Sequence, residues 1–286
     1  MPRPAGTVRW SSRCRPADVA RAPRTAATAR APWGWAWLGG AAGLLAGVLV
    51  FAPARWLAWA VEQGSDQHVL LRAPRGSLWN GSAQLVLAGG ADSRDAIALP
   101  GHFEWQLRPA WSGLQLAMRA TCCMQQPWQV LAEPRWTGAR VQIGNGQSHW
   151  PAPVLAGLGT PWNTVQPEGT LALSAQDLSL EWVSGRVLVK GRLQLEASEL
   201  SSRLSTLKPM GSYRLTLAGG GDDAPASLRL ETIAGSLTLS GSGQWVGSRL
   251  RFSGEAVADP ERVDALSNLL NIIGRRNGLR SIIQVG

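Results

Sequence analysis

The sequence is poor in cysteine, in charge and in two of the three aromatic residue types. It has three cysteines among 286 residues, and Cys14 lies far from the adjacent pair Cys122 and Cys123. A framework of ordinary intrachain disulfides is therefore excluded. Charged residues make up 16% of the chain, against roughly 25% in an average soluble protein, and one tyrosine accompanies 15 tryptophans. The 33 glycines and 18 prolines indicate a turn-rich chain, but not a disordered one.

Motifs that carry enzyme chemistry are also missing from the sequence. It contains no GxSxG, HExxH, Walker-type loop or CxxC motif, and the acidic residues form no obvious pair. The three histidines, His68, His102 and His149, each lack a second ligand at metal-binding spacing. We therefore expect no catalytic residue, no metal, no cofactor and no small-molecule substrate.

The net charge of +9 comes mainly from the N-terminal tail. Seven arginines and one aspartate lie in residues 1–30, whereas residues 31–286 hold 21 basic and 18 acidic residues. A nucleic-acid-binding domain carries its basic excess as a patch on the folded part. This distribution therefore argues against nucleic-acid binding.

An uncharged segment of 24 residues, 31–54, follows this tail. As a helix it would be about 36 Å long, and the hydrocarbon core of a bilayer is about 30 Å thick. Tryptophans flank the segment at both ends, as is typical of membrane interfaces. Ala52-Pro53-Ala54 also has the form of a signal-peptide cleavage site, but a cleaved apolar region is shorter, roughly 7 to 15 residues. The sequence favours an uncleaved transmembrane anchor.

The arginines predict the orientation of this anchor and a division of the chain into four parts. Basic residues collect on the cytoplasmic side of a membrane span. The division is a cytoplasmic Arg-rich tail over 1–30, the anchor over 31–54, a juxtamembrane segment over 55–68 and an exported domain over 69–286. The tail is either a genuine extension or a misplaced start.

The exported part has the period-two alternation of strands with one wet face. In RVLVKGRLQLE, residues 186–196, apolar and polar residues alternate with one exception, Leu188. Similar short strands follow one another without helices between them, which predicts antiparallel hairpins or meanders. We expect a mainly β domain with a mostly antiparallel, curved sheet.

Two segments interrupt the strand pattern. Residues 144–168 are too rich in glycine and proline for a strand and predict a short helix near residues 153–158 within a loop. Residues 260–273 have the spacing of an amphipathic helix, with Asp259 as its N-cap and Gly274 at its C′ position. A final strand is predicted from Leu279 to Val285.

Cys122 and Cys123 have no third exported cysteine as a partner. If they lie on a strand, they point to opposite faces. They could form a vicinal disulfide, bridge two chains or stay reduced with one thiol buried. A redox-sensitive role and simple packing both remain open.

Several phrases together resemble the type II secretion system protein N family. They are GSLWNGSAQL at 76–85, GNG at 144–146, LAGLGTPWNT at 155–164, SSRLSTLKPMGSYRLTL at 201–217 and LSNLLNIIGRRNGLRSI at 266–282. The resemblance runs from about residue 35 to the end. It implies a non-enzymatic inner-membrane component of type II secretion with a periplasmic main domain, and it implies inner-membrane platform proteins or the secretin as partners. The exported domain also resembles, more weakly, AsmA-like modules.

Two hypotheses follow for how such a domain acts. The first is an interaction module whose edge strands or loops bind other secretion components. Its candidate contact residues are Trp162, Asn163 and Thr164 in a loop, and Arg275 and Arg276 after the terminal helix. The second is an AsmA-like protein that handles lipid or another hydrophobe on an apolar inner face. A fully packed inner face, closed by the 260–273 helix, would argue against the second hypothesis.

Overall fold

The structure is a computed structural model that describes residues 33–91, 93–136, 138–183, 186–221, 225–246 and 249–286. The chain divides into two compact units, residues 1–47 and residues 48–286. The second unit contains the sheet and every site described below. The N-terminal tail over 1–30 lies outside the described residues.

Four α-helices and two short 3-10 helices are found in the described residues. The α-helices are α1 (Trp33–Val50), α2 (Ala54–Gly64), α3 (Trp162–Val165) and α4 (Val263–Ile273), and the 3-10 helices are Ala152–Leu158 and Pro260–Arg262. Pro53 separates α1 from α2, as the fixed φ angle of proline favours at a helix start. In this part of the chain no helix meets the length and hydropathy expected of a membrane span.

The remaining elements are strands of one antiparallel sheet. The described strands are β1 (Val69–Gly76), β2 (Asn80–Ala88), β3 (Ala96–Ala98), β4 (Phe103–Ala110), β5 (Gly113–Ala120), β6 (Trp128–Arg135), β7 (Gly138–Ile143), β8 (Gly146–Pro151), β9 (Pro167–Val183), β10 (Arg186–Ser202), β11 (Gly211–Ala218), β12 (Ser227–Gly235), β13 (Leu237–Val246), β14 (Arg249–Ala258), β15 (Arg275–Asn277) and β16 (Arg280–Val285). Their order is β1-β2-β4-β5-β6-β7-β9-β10-β11-β12-β13-β14-β16-β15, with β3 on β2 and β8 on β9. The predicted mainly β, mostly antiparallel meander is confirmed.

Strand β8 corrects the prediction that residues 144–168 contain no strand. It pairs with the first half of β9, while β7 pairs with the second half. Asn145 lies between β7 and β8, and its side chain holds Asp177 at an irregular point of β9: its Oδ1 accepts from the Asp177 backbone N at 2.6 Å. This hydrogen bond joins the residue between β7 and β8 to the irregular point of β9. The glycine-rich segment therefore continues the sheet as β8.

Adjacent residue rows give the second half of the sheet one apolar and one polar face. Leu195, Leu215 and Leu230 are paired across β10, β11 and β12. The neighbouring row is Glu196, Arg214 and Glu231, and Arg214 forms ion pairs with both glutamates. Alternation along each strand therefore sorts leucines to one face and charges to the other.

Helix α4 covers one end of this apolar face. Leu266 and Leu270 have no exposed area and pack with Met210, Leu237 and Ala256. The Asp259 Oδ1 accepts a hydrogen bond from the Glu261 backbone N at 3.1 Å, which confirms Asp259 as the predicted N-cap.

Gly274 differs from its predicted C′ conformation. Its backbone is extended, and the chain passes directly from α4 into β15. A Cβ at this position would lie 2.3 Å from the Ile282 carbonyl oxygen, so glycine permits the close approach of β15 to β16. The glycine serves strand packing here rather than a left-handed helix end.

Candidate functional site

The segment between β8 and β9 lies over the apolar side of the first strands. In its 3-10 helix, Ala152 and Val154 are buried, and Val154 joins a core cluster with Leu99 and Trp128. A Cβ on Gly157 would lie 2.5 Å from the Leu87 carbonyl oxygen, so this glycine lets the helix approach β2 closely. This segment between β8 and β9, which we call the insertion, is therefore a fixed part of the fold.

The three predicted contact residues of this insertion make different contacts. They form most of α3. Asn163 donates through Nδ2 to Asp95 Oδ2 at 2.7 Å, which ties the insertion to the residues just before β3. The Thr164 hydroxyl lies 3.2 Å from the Asn163 side-chain oxygen. Trp162 is 41% exposed and Thr164 is also exposed, whereas Asn163 is half-buried.

Trp162 also lines an apolar pocket of about 390 Å³. The pocket lies on the leucine-rich face of β9 to β14, and its wall is almost entirely carbon. Its other lining residues are Leu155, Leu171, Leu195, Ala197, Leu200, Tyr213, Leu215, Leu228, Leu230, Leu239, Leu250 and Phe252. Ligand pockets of a few hundred cubic ångströms with such walls bind aliphatic or aromatic groups.

Phe252 forms one wall of this pocket by packing over three glycines. Cβ atoms placed on Gly241, Gly243 and Gly254 would lie 2.5 to 3.0 Å from ring atoms of Phe252. The absence of side chains at these neighbouring positions creates the space in which the phenyl ring lies. Sequence reasoning missed the pocket, although the glycines in GSGQW and FSGEA are its visible signal.

Tyr213 is the one hydroxyl-bearing residue of the pocket wall. Its Oη donates to the Leu237 carbonyl oxygen at 3.0 Å, so the hydroxyl is satisfied within the protein. Burial raises the pKa of Tyr213 above its usual range, because the charged phenolate would lose its hydration. The pocket therefore offers no charged group to a ligand.

The polar face opposite the pocket carries the Arg214 ion-pair network. The guanidinium lies 2.7 Å from Glu196 and 3.2 Å from Glu231. Hydrogen bonds to Glu196 and then Glu231 raise the pKa of Arg214, so it stays charged at all physiological pH values. These three side chains satisfy one another, which indicates a structural role.

The structure places Arg275 and Arg276 in β15, at one edge of the sheet. All three residues of β15 are exposed. The Arg276 guanidinium donates to the Gly278 carbonyl at 3.2 Å and to Asn271 Oδ1 at 3.3 Å. Within the described residues, the Arg275 side chain forms no such hydrogen bond. A short, charged edge strand limits uncontrolled pairing and still offers backbone groups to a partner.

The two groups of candidate residues are linked through one hydrophobic cluster. Val165, which follows Thr164, packs against the cluster that contains Leu266 and Leu270 of α4. Ile273, at the end of α4 and two residues before Arg275, packs against the same cluster. The loop and the edge strand are thus fixed to a common core.

Cys122 and Cys123 lie in the turn between β5 and β6 and form a vicinal disulfide. The two cysteines therefore do not lie on a strand with their side chains on opposite faces of the sheet, because the pair is in a turn. Cys122 is exposed and Cys123 is buried in the core cluster of the first strands. The Cys123 carbonyl accepts the His149 backbone N at 2.8 Å, which connects this turn to β8. The redox-sensitive role stays a prediction.

These observations define an antiparallel β-sheet domain with an apolar pocket, a fixed insertion between β8 and β9, and an accessible edge strand. The model of the type II secretion system protein N family matches residues 67–282. The chain belongs to this family, and the resemblance seen in its sequence phrases is confirmed. It is thereby a type II secretion component. Neither a curated protein nor a solved structure matches the chain.

Proposed function

We propose that the protein is a non-enzymatic accessory component of type II secretion, held in the inner membrane by residues 31–54, and that it acts through protein contacts of its periplasmic sheet domain. Membership of the protein N family is the observation that carries this proposal. The accessible edge at β15 and the fixed insertion at α3 supply two surfaces on which a platform protein or the secretin can bind.

The proposed anchor is supported by charge and by exposure. Residues 31–54 contain no charged residue, and seven arginines precede them. Apolar side chains of α1 and the residue after it are widely exposed; Trp35, Trp37 and Phe51 keep 75% or more of their area accessible. Lipid would cover such a surface, and the arginines favour a cytoplasmic N-terminus.

The contact proposal is tested with two variants. Trp162→Ala removes the exposed ring at α3, and Arg276→Glu reverses a charge on the β15 edge. We expect each variant to fold, to lower secretion and to reduce co-purification of secretion components. Arg229→Glu, which reverses an exposed charge on the interior strand β12, is the matched control. Normal secretion and unchanged co-purification in both test variants would contradict the assignment.

Crosslinking identifies the partner directly. A photo-reactive residue at position 162 or 276 in living cells should capture a platform protein or the secretin. Capture at position 276 but not at 162 would assign the contact to the edge strand alone. Absence of secretion components from both adducts would remove these two surfaces from the proposal.

The apolar pocket favours a second candidate function, the AsmA-like binding of lipid or another hydrophobe. Helix α4 covers the part of the apolar face around Leu237 and Ala256, and a pocket of about 390 Å³ stays open beside it. The inner face is thus incompletely closed, as this function requires.

The pocket is tested by filling it. Ala197 lines the pocket, and Ala197→Phe would place a ring in its volume. We expect native mass spectrometry of the full chain to show bound lipid in the wild type and less in this variant. Equal lipid occupancy in the two proteins would argue against binding in the pocket.

A further inference from the structure

Two neighbouring hairpin turns at one end of the sheet each carry an exposed tryptophan, and a third tryptophan, Trp182, lies at the end of the adjoining strand β9. The turns join β4 to β5 and β6 to β7, and we call these two turns and the end of β9 the tryptophan tips. Trp111 and Trp136, in the two turns, have 108% and 106% of their reference area exposed, so they touch almost nothing in the protein. Trp182, the penultimate residue of β9, is 41% exposed.

The strand register places the tryptophan tips at the same level. Gly138, the first residue of β7, pairs with Arg135 of β6 and with Val183 of β9. Leu114, just after the first turn, pairs with Ala132 of β6. The two turns and the end of β9 therefore form one contiguous row across the neighbouring strands β4, β5, β6, β7 and β9.

The residues that connect α1 to the sheet domain meet this same end. Asn80 pairs with Gln106, so the turn between β1 and β2 points the same way as the turn after β4. In that turn, Trp79 Nε1 donates to the Leu49 carbonyl at 2.9 Å. The Leu78 backbone N donates to the Ala52 carbonyl at 2.8 Å.

Positive charge accompanies the tryptophans. Residues 108–114, 132–140 and 181–186 contain four basic and two acidic residues, a net charge of +2. Arg108 is exposed beside the first turn, and Arg135, half-exposed beside the second, forms a distant ion pair of 3.8 Å with Glu133. Such charge complements an anionic lipid surface.

We infer that the tryptophan tips rest on the surface of the membrane that holds the anchor, with their indole rings in the headgroup layer and Arg108 and Arg135 near anionic lipid phosphates. Tryptophan is enriched at membrane interfaces, because its ring is amphipathic and its N–H remains hydrated there. The inference rests on the proposed anchor at residues 31–54. It extends that proposal by fixing which end of the sheet faces the bilayer.

A lipid surface accounts for the pattern better than a protein partner does. The exposed rings stand singly on separate turns, whereas a protein interface buries its tryptophans in a continuous packed patch. A row of rings at one level, next to the attachment of the anchor, matches a flat boundary. A protein adduct at these positions is the opposing outcome of the test.

The test uses the full chain in proteoliposomes of phosphatidylcholine with or without phosphatidylglycerol. A photo-reactive residue replaces Trp111 or Trp136, and the control replaces Gln126, an exposed residue in the β5–β6 turn at the opposite end of the sheet. We expect phospholipid adducts at 111 and 136, few at 126, and a higher yield when phosphatidylglycerol is present. Each basic side chain near an anionic surface favours contact roughly fivefold, so Arg108→Gln with Arg135→Gln should lower the yield by at least that factor.

Membrane extraction separates failure of this inference from failure of the anchor. Resistance to carbonate with equal, low lipid labelling at 111, 136 and 126 would overturn the inference and leave the anchor intact. Release by carbonate would overturn the anchor and the inference with it. In whole cells, protein adducts in place of lipid adducts at 111 and 136 would also overturn the inference, because those rings would then belong to a protein interface.

Discussion

Tyr213 connects the pocket to the stability of the sheet at the scale of single residues. It is the one tyrosine of the chain, it is buried, and its hydroxyl bonds to the Leu237 carbonyl. The phenol thus joins β11 to the start of β13, two strands away along the sheet order. Its neutral form is the form that the fold stabilises.

Removing this hydroxyl should destabilise the protein in a pH-dependent way. Tyr213→Phe leaves the Leu237 carbonyl without its donor, and we expect a loss of about 1 kcal/mol at neutral pH. The pKa of Tyr213 is raised in the folded state, so the stabilisation is complete below the unfolded-state pKa of about 10 and is lost as pH rises above it. Urea unfolding in detergent at neutral and alkaline pH measures this difference. A wild-type advantage that grows at alkaline pH would contradict the burial argument.

Gly241 should tolerate no side chain because of Phe252. Its Cβ would lie 2.5 Å from the ring Cζ, so Gly241→Ala forces the phenyl ring away from its place. We expect a loss of about 1 to 3 kcal/mol, as for other overpacked sites. Gly64→Ala is the control, since that position has no atom within 4 Å. Thermal unfolding compares the two, and equal melting temperatures would show that the ring is not fixed by the glycines.

At the scale of elements, α4 is held by two leucines with no exposed area. Leu270→Ala should cost about 2 to 5 kcal/mol because it opens a cavity between α4 and β13 and β14. Ile272→Ala, at a position that is 43% exposed on the same helix, should cost much less. Denaturant unfolding measures both. A larger loss at Ile272 would mean that α4 packs through its other face.

Loss of α4 packing should also disturb the edge strand. Ile283 of β16 and Ile273 of α4 pack on the same cluster as Leu270. Backbone amides of β15 should therefore exchange faster in Leu270→Ala than in the wild type, because the edge loses its support. Hydrogen exchange measured by mass spectrometry would detect this change. Unchanged exchange in residues 275–277 would show that the stability of β15 does not depend on the packing of α4.

At the scale of the whole molecule, the arrangement about the membrane is the central prediction. With an N-terminal tail in the cytoplasm and residues 69–286 outside, protease added to intact spheroplasts should digest most of the chain. Immunoblotting with an antibody against the sheet domain measures this. Protection of the sheet domain together with loss of the tail would show the opposite topology. Protease added after lysis controls for a sheet domain that is intrinsically resistant to digestion.

Alternation and end signals in the sequence were sufficient to predict the main elements. The strand at 186–196, the helix after Asp259 and the final strand are all present. Each depends on local physics: period two for a strand with one wet face, and leucine spacing with an N-cap for a helix. The family resemblance was likewise visible in local phrases.

Contacts between distant segments decided the rest. The Gly144–Gly146 segment continues into β8 because Asn145 bonds to Asp177, 32 residues away. Gly274 is extended because Ile282 lies against it, and the pocket exists because Phe252 lies over glycines of neighbouring strands. No local pattern contains these distances, since each depends on which strands become neighbours.

The sequence by itself determined that the chain builds antiparallel strands and a C-terminal amphipathic helix, because both follow from the spacing of apolar residues along a short stretch. The tertiary structure decided where those strands stand beside one another. It thereby decided that Trp111 and Trp136 share one end of the sheet, that Arg275 and Arg276 occupy its edge, and that a pocket lies open beside α4. Register and strand order set these positions, and they arise from pairing between residues far apart in the chain.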